Sequence, residues 1–202
     1  MEGEKTRYGF LNVVPLALAE WAIFTCVFAV AGAWPAPDVN EGYYLAKARH
    51  SVNPEWCEND FFLNSEDAHG LFFLILGPFA ASAKLSTAAW VGRWAGWLAL
   101  AGGFRHAVMQ LFPSFLHRLF AITMFSLAAR YTTMAGEWMI GGCEAKVFAW
   151  ALVLGAWGEG VRGRWAYAWL LSGAATAFHP LVGGWMMISI GFAAFIQSME
   201  RK

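Results

Sequence analysis

The stretch FLNVVPLALAEWAIFTCVFAVAGAW, from Phe10 to Trp34, decides the fold class of this protein. It is almost wholly apolar, and Glu20 is its only ionisable side chain apart from a cysteine thiol. A helix needs about 20 consecutive apolar residues to cross a bilayer. Ala17-Leu18-Ala19 mimics a signal-peptide cleavage site, but MEGEKTR before it has no net positive charge. The stretch therefore predicts a retained membrane-spanning helix.

The composition of the whole chain agrees with a membrane protein. Of 202 residues, 58% are hydrophobic and only 14% are charged, whereas soluble domains have about 25% charged residues. The mean hydropathy is +0.45 and the isoelectric point is close to 7.0. These values exclude an ordinary soluble domain and a disordered chain. The zero net charge also argues against a nucleic-acid partner.

Five further apolar runs follow, so we predict an all-α, polytopic membrane protein with about six transmembrane helices. The runs are Trp90–Phe104, Phe115–Tyr131, Val147–Trp157, Trp165–Phe178 and Leu181–Ile196. The run Val147–Trp157 is short for a span, so its helix could begin earlier, within Met139–Cys143. Residues 1–202 form a single transmembrane domain with two long polar connections, loop 1 at about 35–86 and loop 2 at about 132–144.

The segment GLFFLILGPFAASAKLS, residues 70–86, sets the topology of all that follows it. It is apolar but short, and we expect Gly77-Pro78 to break it. If it stays outside as an interfacial helix, eight of the 14 Lys and Arg residues lie on the inner side; if it spans, only six do. The positive-inside rule therefore predicts six spans. Both termini are then cytoplasmic, and both loops lie on the outer side of what we expect to be a bacterial inner membrane.

Loop 1 contains a carboxylate that could take part in chemistry, Glu41. Asp38 or Asn40 is a plausible N-cap for a helix that begins here. Glu41, Leu45 and Ala48 then share one helix face, which can pack on the bundle. Burial would raise the pKa of Glu41, and the helix N-terminus would lower it. The alternative is an ordinary, solvated glutamate in the first helical turn.

Loop 2 provides two further acids, Glu137 and Glu144, and Lys146 stands where the next apolar helix begins. A carboxylate is electrostatically favourable at a helix N-terminus. Lys146 could meet a phosphate beside these acids, or it could extend its ammonium group to the membrane interface. Both interpretations stay open.

Three histidines fall on the predicted outer side: His50, His69 and His179. Their spacing is not that of zinc ligands, so the sequence does not require a metal site. His179-Pro180 joins two predicted spans, where a hydrogen-bonded turn histidine is the alternative to a binding role.

Two other features leave alternatives open. Cys57 and Cys143 lie one in each loop, so they are either free thiols or a disulfide in an oxidising compartment. Glu20 lies within a predicted span, where ionisable residues are costly and usually face a partner or a cavity. It is either a proton-relay group or a neutral glutamate that is hydrogen-bonded to another helix.

Four stretches stand in a fixed order along the chain: NEGYYLAKAR (40–49), AHGLFFLIL (68–76), WVGRWAGWLAL (90–100) and ATAFHPLVGG (175–184). They resemble the motifs DExxYAxxAR, PPLYYWL, AARLPSAL and LAFLTKGP of the GT-C superfamily, in particular its aminoarabinose transferases and protein O-mannosyltransferases. Ala129-Arg130 resembles the AR that ends the third span, and Glu137–Glu144 corresponds to the second acidic loop. A bacterial membrane family with the stretches NEPHYLAKARH and GGxEAKxFAY is similar as well.

The resemblance implies an N-terminal module of a membrane glycosyltransferase, which transfers a sugar from a polyprenyl-phosphate donor to an acceptor. Asn40 stands where the family has its catalytic Asp, so Glu41 would be the general base. Arg130 and Lys146 would stabilise the phosphate, and Glu144 or Glu137 would orient the acceptor or a divalent cation. His69 and His179, the latter in place of the usual Lys, complete the expected substrate- and lipid-phosphate-binding residues.

A non-catalytic membrane subunit that binds a lipid carrier or partner helices is the alternative. Asn40 favours it, and so does the number of spans, because GT-C enzymes have about twice as many. A second membrane chain or a C-terminal half would then complete the pocket. A small carrier that uses Glu20 as its proton site is a third hypothesis.

Overall fold

The computed structural model describes the backbone of residues 2–38, 40–131 and 139–200, and the side chains of these ranges from Pro15 onward. Within these ranges the chain is all-helical and contains no β-strand. In chain order the helices are α1 Glu2–Gly32, α2 Glu41–Val52, α3 Phe61–Asn64, α4 Gly70–Ser82, α5 Leu85–Val108, α6 Phe115–Tyr131, α7 Ala145–Val161, α8 Trp165–Phe178 and α9 Pro180–Glu200.

The long helices form two packed groups that α5 and α7 join. In the first group, Phe24 and Phe28 of α1 meet Phe104 of α5 edge to face, each with 6.1 Å between ring centroids. Ile122 of α6 closes this core. The second group packs α7, α8 and α9 through mostly small and aliphatic side chains: Ala149, Val153, Ala156, Ala168, Ala175, Met186 and Ile190. Small residues let helices approach closely without a large hydrophobic driving force.

Helices α2 and α4 pack against each other at one end of this bundle. Their buried aromatic and aliphatic side chains form a cluster that continues into Ala88 and Ala89 of α5 and Ala145 of α7. These alanines lie in the first turns of their helices, so α2 and α4 cover the end where α5 and α7 begin. We call it the α2–α4 end. We call the opposite end, where Arg105 and Arg118 contact Glu20, the Glu20 end.

Some helix boundaries differ from those expected. Pro78 lies inside α4 instead of breaking it, and the helix continues to Ser82. A proline removes one intrahelical hydrogen bond, and the burial of Ala80 in the α2–α4 cluster holds the next turn in place. Helix α7 begins at Ala145, since Glu144 is extended and the preceding residues 139–143 are not helical.

Among the residues that the structure describes, two helices are long and apolar enough to cross a membrane, judged by length and composition: Pro15–Gly32 within α1, and α9, Pro180–Glu200. Helices α6, α7 and α8 have 17, 17 and 14 residues. At 1.5 Å per residue these are roughly 21–26 Å long, less than a hydrocarbon core of about 30 Å. The two apolar helices support membrane association of the protein.

Candidate functional site

Glu41 begins α2 and is fully buried in an ion pair with Arg93 of α5. The guanidinium donates from Nε to Oε1 (2.8 Å) and from Nη2 to Oε2 (2.6 Å). The backbone N–H of Cys143 donates to Oε1 (2.7 Å), and that of Asp38 donates to Oε2 (3.0 Å). Arg93 also donates to the carbonyl of Trp34. This single pair therefore ties α5 and α2 to the end of α1 and to the segment before α7.

The surroundings of Glu41 keep its carboxylate charged. Burial raises its pKa, but the hydrogen bonds from Arg93 and from the N–H groups of Cys143 and Asp38 outweigh burial and hold the pKa below the ordinary 4.5. Each carboxylate oxygen accepts two hydrogen bonds. Glu41 is therefore not a solvated helix-cap residue, and Asn40 at the N-cap makes no side-chain capping bond.

The lowered pKa predicts loss of stability in acid. Since the folded pKa of Glu41 lies below its unfolded value, its stabilisation is complete above about pH 4.5 and is lost as the pH falls through the folded pKa. We expect the thermal midpoint of the detergent-solubilised protein to fall below that pH. It should fall less in Glu41→Gln, which cannot titrate there. An identical acid slope in both proteins would contradict this role of the ion pair.

The other polar side chains of α2 hold loop 1 in place. Each of three residues in the YYLAKARH stretch bonds to a different point between α2 and α4. The bonds are Tyr43 Oη to Asp67 Oδ2 (2.7 Å), Lys47 Nζ to the Leu63 carbonyl (2.6 Å) and His50 Nδ1 to the Trp56 carbonyl (2.8 Å). These three polar side chains of α2 thus anchor loop 1 to the helix.

His69 connects loop 1 to the junction of α8 and α9. Its Nδ1 bonds to Asp67, and its ring lies 4.8 Å from that of His179, centroid to centroid.

Burial, with the neighbouring Asp67, raises the pKa of Tyr43 to about 12. Burial also raises the pKa of Asp67, but hydrogen bonds from Tyr43 and His69 outweigh it and lower this pKa overall. Tyr43 therefore stays a donor and Asp67 an acceptor.

Lys146 and Glu144 form a second buried ion pair where α7 begins, with Nζ and Oε2 3.0 Å apart. Both side chains are 2% exposed. The interpretation in which Lys146 extends to the membrane interface is therefore wrong. Its ammonium group stays inside because the neighbouring carboxylate offers a partner that lipid headgroups would otherwise supply.

Arg130 is exposed near the end of α6, and its guanidinium lies 5.0 Å from the centroid of the Trp34 ring. Together they line a narrow cleft with Ser126 and Ile140. The carbonyl of Trp34 in turn accepts a hydrogen bond from Arg93. Of the two cations among the candidate site residues, Arg130 is thus the exposed one, whereas Lys146 is buried.

The structure brings six of the seven candidate site residues to the α2–α4 end: Glu41, His69, Arg130, Glu144, Lys146 and His179. The seventh, Glu137, lies outside the described residues. Within the described part of the chain, no group of three or more His, Cys, Asp or Glu side chains could hold a metal ion.

The cysteines are free thiols. Cys57 is exposed and Cys143 is buried, so the disulfide alternative is not formed. The Sγ of Cys143 fills the space beside Gly92, where an added Cβ would approach it to 2.1 Å. Burial is the main cause that raises the pKa of this thiol to about 12.

Sequence reasoning missed two sets of partners. It assigned no role to Arg93, although an arginine inside an apolar helix signals a buried partner. At the Glu20 end, Glu20 is buried and accepts hydrogen bonds from Arg105 of α5 and Arg118 of α6, so it has the contacts expected of a glutamate that is hydrogen-bonded to other helices. Glu159 forms ion pairs there with Arg162 and Arg164, and its Oε1 lies 2.6 Å from Nε2 of His106.

No protein-family model, curated protein or solved structure matches this chain.

Proposed function

We propose that this is a multi-pass membrane protein whose α2–α4 end binds the phosphate of a polyprenyl-phosphate lipid carrier without catalysing its transfer. The membrane part rests on large apolar side chains that are exposed along the helices between the two polar ends. Examples with their exposed fractions are Val30 83%, Val91 50%, Phe120 65%, Leu170 68%, Ile188 63% and Phe192 66%. A water-soluble monomer rarely exposes large contiguous areas of apolar side chains, so we assign these exposed side chains to the surface that faces lipid.

The charged residues inside the bundle agree with this proposal. Arg93, Glu20 and Glu159 lie within helices, and each is buried and paired with a residue of opposite charge. Ionisable residues in membrane helices face the protein interior and pair with one another in this way. Short helices such as α7 and α8 are accommodated when the bilayer thins locally around them.

The lipid-phosphate part rests on Arg130 at the cleft beside Trp34. A guanidinium forms charge-assisted, bidentate hydrogen bonds with phosphate, and a neighbouring indole suits the membrane interface. The order of the motifs resembles that of the GT-C module, which handles the same class of lipid. A second membrane chain, or further sequence, would supply the remaining spans of such an assembly.

The contacts of Glu41 favour binding over catalysis. A general base must take a proton from the hydroxyl or amine that receives the sugar. The oxygens of this carboxylate already accept hydrogen bonds from Arg93, Cys143 and Asp38. Its lowered pKa makes it a weaker base. In this proposal Glu41 is a positioning residue that holds α2 to α5.

Catalysis by Glu41 is the second candidate, because the other candidate residues converge on the same end of the bundle. It would deprotonate an acceptor hydroxyl or amine, which would attack the anomeric carbon of the sugar. The bond from that carbon to the phosphate oxygen would break, and polyprenyl phosphate would leave.

The test measures the binding of radiolabelled polyprenyl phosphate to the protein in phosphatidylcholine nanodiscs. Arg130→Gln should weaken binding roughly tenfold, which is the effect expected for one charge-assisted contact. Arg49→Gln is the matched control, because Arg49 is also stacked on a tryptophan, Trp56, at 5.1 Å. We expect that control to bind like the wild type. Equal binding by Arg130→Gln and the wild type would refute the proposed site.

Turnover separates the two candidates. With a polyprenyl-phosphate-linked sugar, our proposal predicts no release of polyprenyl phosphate by the wild type above that of a protein-free nanodisc. Release that disappears in a folded Glu41→Gln variant would instead establish the transferase function.

A further inference from the structure

A cavity of about 400 Å³ opens at the Glu20 end between α1, α5 and α6. Three large apolar side chains, Leu16, Ile23 and Phe115, form part of its wall. Among the described residues, its polar lining consists of Glu20, Arg105 and Arg118. The space thus combines an apolar wall with a compact charged cluster, and it lies at the opposite end of the bundle from Arg130.

The charged cluster of this cavity has an excess of positive charge. Glu20 accepts one hydrogen bond from the Nε of Arg105 (2.9 Å) and one from the Nε of Arg118 (2.5 Å). Two guanidinium groups therefore share a single carboxylate. The net charge of one positive unit, close to an apolar wall, favours an anionic partner with an apolar portion.

The two arginines differ in what they can still bind. Arg118 donates from Nη1 to the carbonyls of Phe112 and Pro113, so it also holds the α5–α6 connection. Arg105 bonds to Glu20 through Nε, and within the described part of the chain its two Nη atoms make no hydrogen bond. Arg105 also lines an adjacent cleft of about 270 Å³ beside Trp21. Among the described contacts, both Nη atoms of Arg105 are therefore available as donors, whereas Arg118 keeps only its Nη2.

We propose that this cavity binds the phosphate headgroup of an anionic phospholipid, with Arg105 as the main donor and an acyl chain along Leu16, Ile23 and Phe115. A guanidinium suits a phosphate diester, and basic pockets between membrane helices are typical sites for acidic lipid headgroups. The proposal rests on the multi-pass part of the proposed function. It is independent of the polyprenyl-phosphate site.

The test compares phospholipids retained by the purified protein, by native mass spectrometry after equilibration with equal amounts of phosphatidylglycerol and phosphatidylcholine. The wild type should retain phosphatidylglycerol preferentially. Arg105→Gln should lower that preference roughly tenfold, as expected for loss of a charge-assisted contact. Arg164→Gln is the matched control, because Arg164 lies at the same end, is 53% exposed on its side chain and pairs with Glu159. It should keep the preference.

A second variant separates loss of the site from loss of the fold. Ala19→Phe places a ring in the cavity without removing a charged group, since Ala19 is an exposed residue of its lining. It should also lower the retention of phosphatidylglycerol. Equal retention of both lipids by the wild type, or an unchanged preference in both cavity variants, would overturn the proposal.

Two further measurements define the ligand. Millimolar inorganic phosphate should leave the retained lipid in place, because it lacks the acyl chain; displacement would mean that the site takes free phosphate, against the proposal. Release of the protein from membranes by alkaline carbonate would overturn the multi-pass function and this site together. Resistance to carbonate without any lipid preference would overturn the lipid site alone.

Discussion

Arg93→Met is expected to lower the free energy of unfolding by about 3–5 kcal/mol, the usual cost of removing one partner from a buried ion pair. The substitution leaves the Glu41 carboxylate buried with two backbone N–H donors and no counter-charge. It also removes the bond to the Trp34 carbonyl that ties α5 to the end of α1. Thermal unfolding in detergent, followed by circular dichroism, measures the effect.

Two comparisons show whether the ion pair is the cause. The double variant Glu41→Gln/Arg93→Met should recover part of the loss, because no unpaired charge stays buried. Arg130→Met, which removes an exposed arginine at the same end, should change the midpoint little. A wild-type midpoint for Arg93→Met would mean that the pair does not hold the helices together.

Gly103→Ala is expected to force α5 away from α7. A Cβ at residue 103 would lie 2.2 Å from the carbonyl oxygen of Ala151, which is a backbone atom and cannot rotate away. Overpacking in a close-packed interface costs about 1–3 kcal/mol, and more where the backbone must shift. We expect a lower thermal midpoint and a broader transition for this single methyl group.

Gly102→Ala is the matched control at the adjacent position. A Cβ there would meet the indole of Trp21 at 3.5 Å, an ordinary contact distance. Because alanine is the better residue inside a helix by roughly 0.5–1 kcal/mol, this variant should be as stable as the wild type or more so. An equal loss of stability in both variants would contradict the close contact between Gly103 of α5 and Ala151 of α7.

The sequence was sufficient to predict the long helices of the bundle, because long apolar runs impose helical structure wherever backbone groups must bond internally. The short helix α3 was not predicted. It grouped residues 70–86 with loop 1; in the structure α4 packs against α2, and α5 begins at Leu85 inside that segment. The break at Pro78 was wrong, because local propensity does not include the contacts that Ala80 makes with another helix. The six-span membrane topology stays a prediction.

The partners of the candidate residues could not be predicted in the same way. Glu41 and Arg93 are 52 positions apart in the chain, and Glu20 and Arg118 are 98 positions apart. Helical periodicity places a residue on a face of its own helix, and it carries no information about which residue of another helix it meets. The burial of Lys146 likewise depends on which helices pack around it, although Glu144, two positions earlier in the chain, was a signal in the sequence.

The most direct test of the membrane topology uses sealed spheroplasts and a membrane-impermeant maleimide. In a background where Cys26 and Cys143 are replaced by serine or alanine, Cys57 reports the α2–α4 end. Gln110→Cys, with Cys57 also replaced, reports the α5–α6 connection beyond the Glu20 end. We predict that Cys57 reacts in intact spheroplasts and that the Gln110→Cys protein reacts only after lysis. Labelling of both sites before lysis, or of neither, would contradict a bundle that spans the membrane.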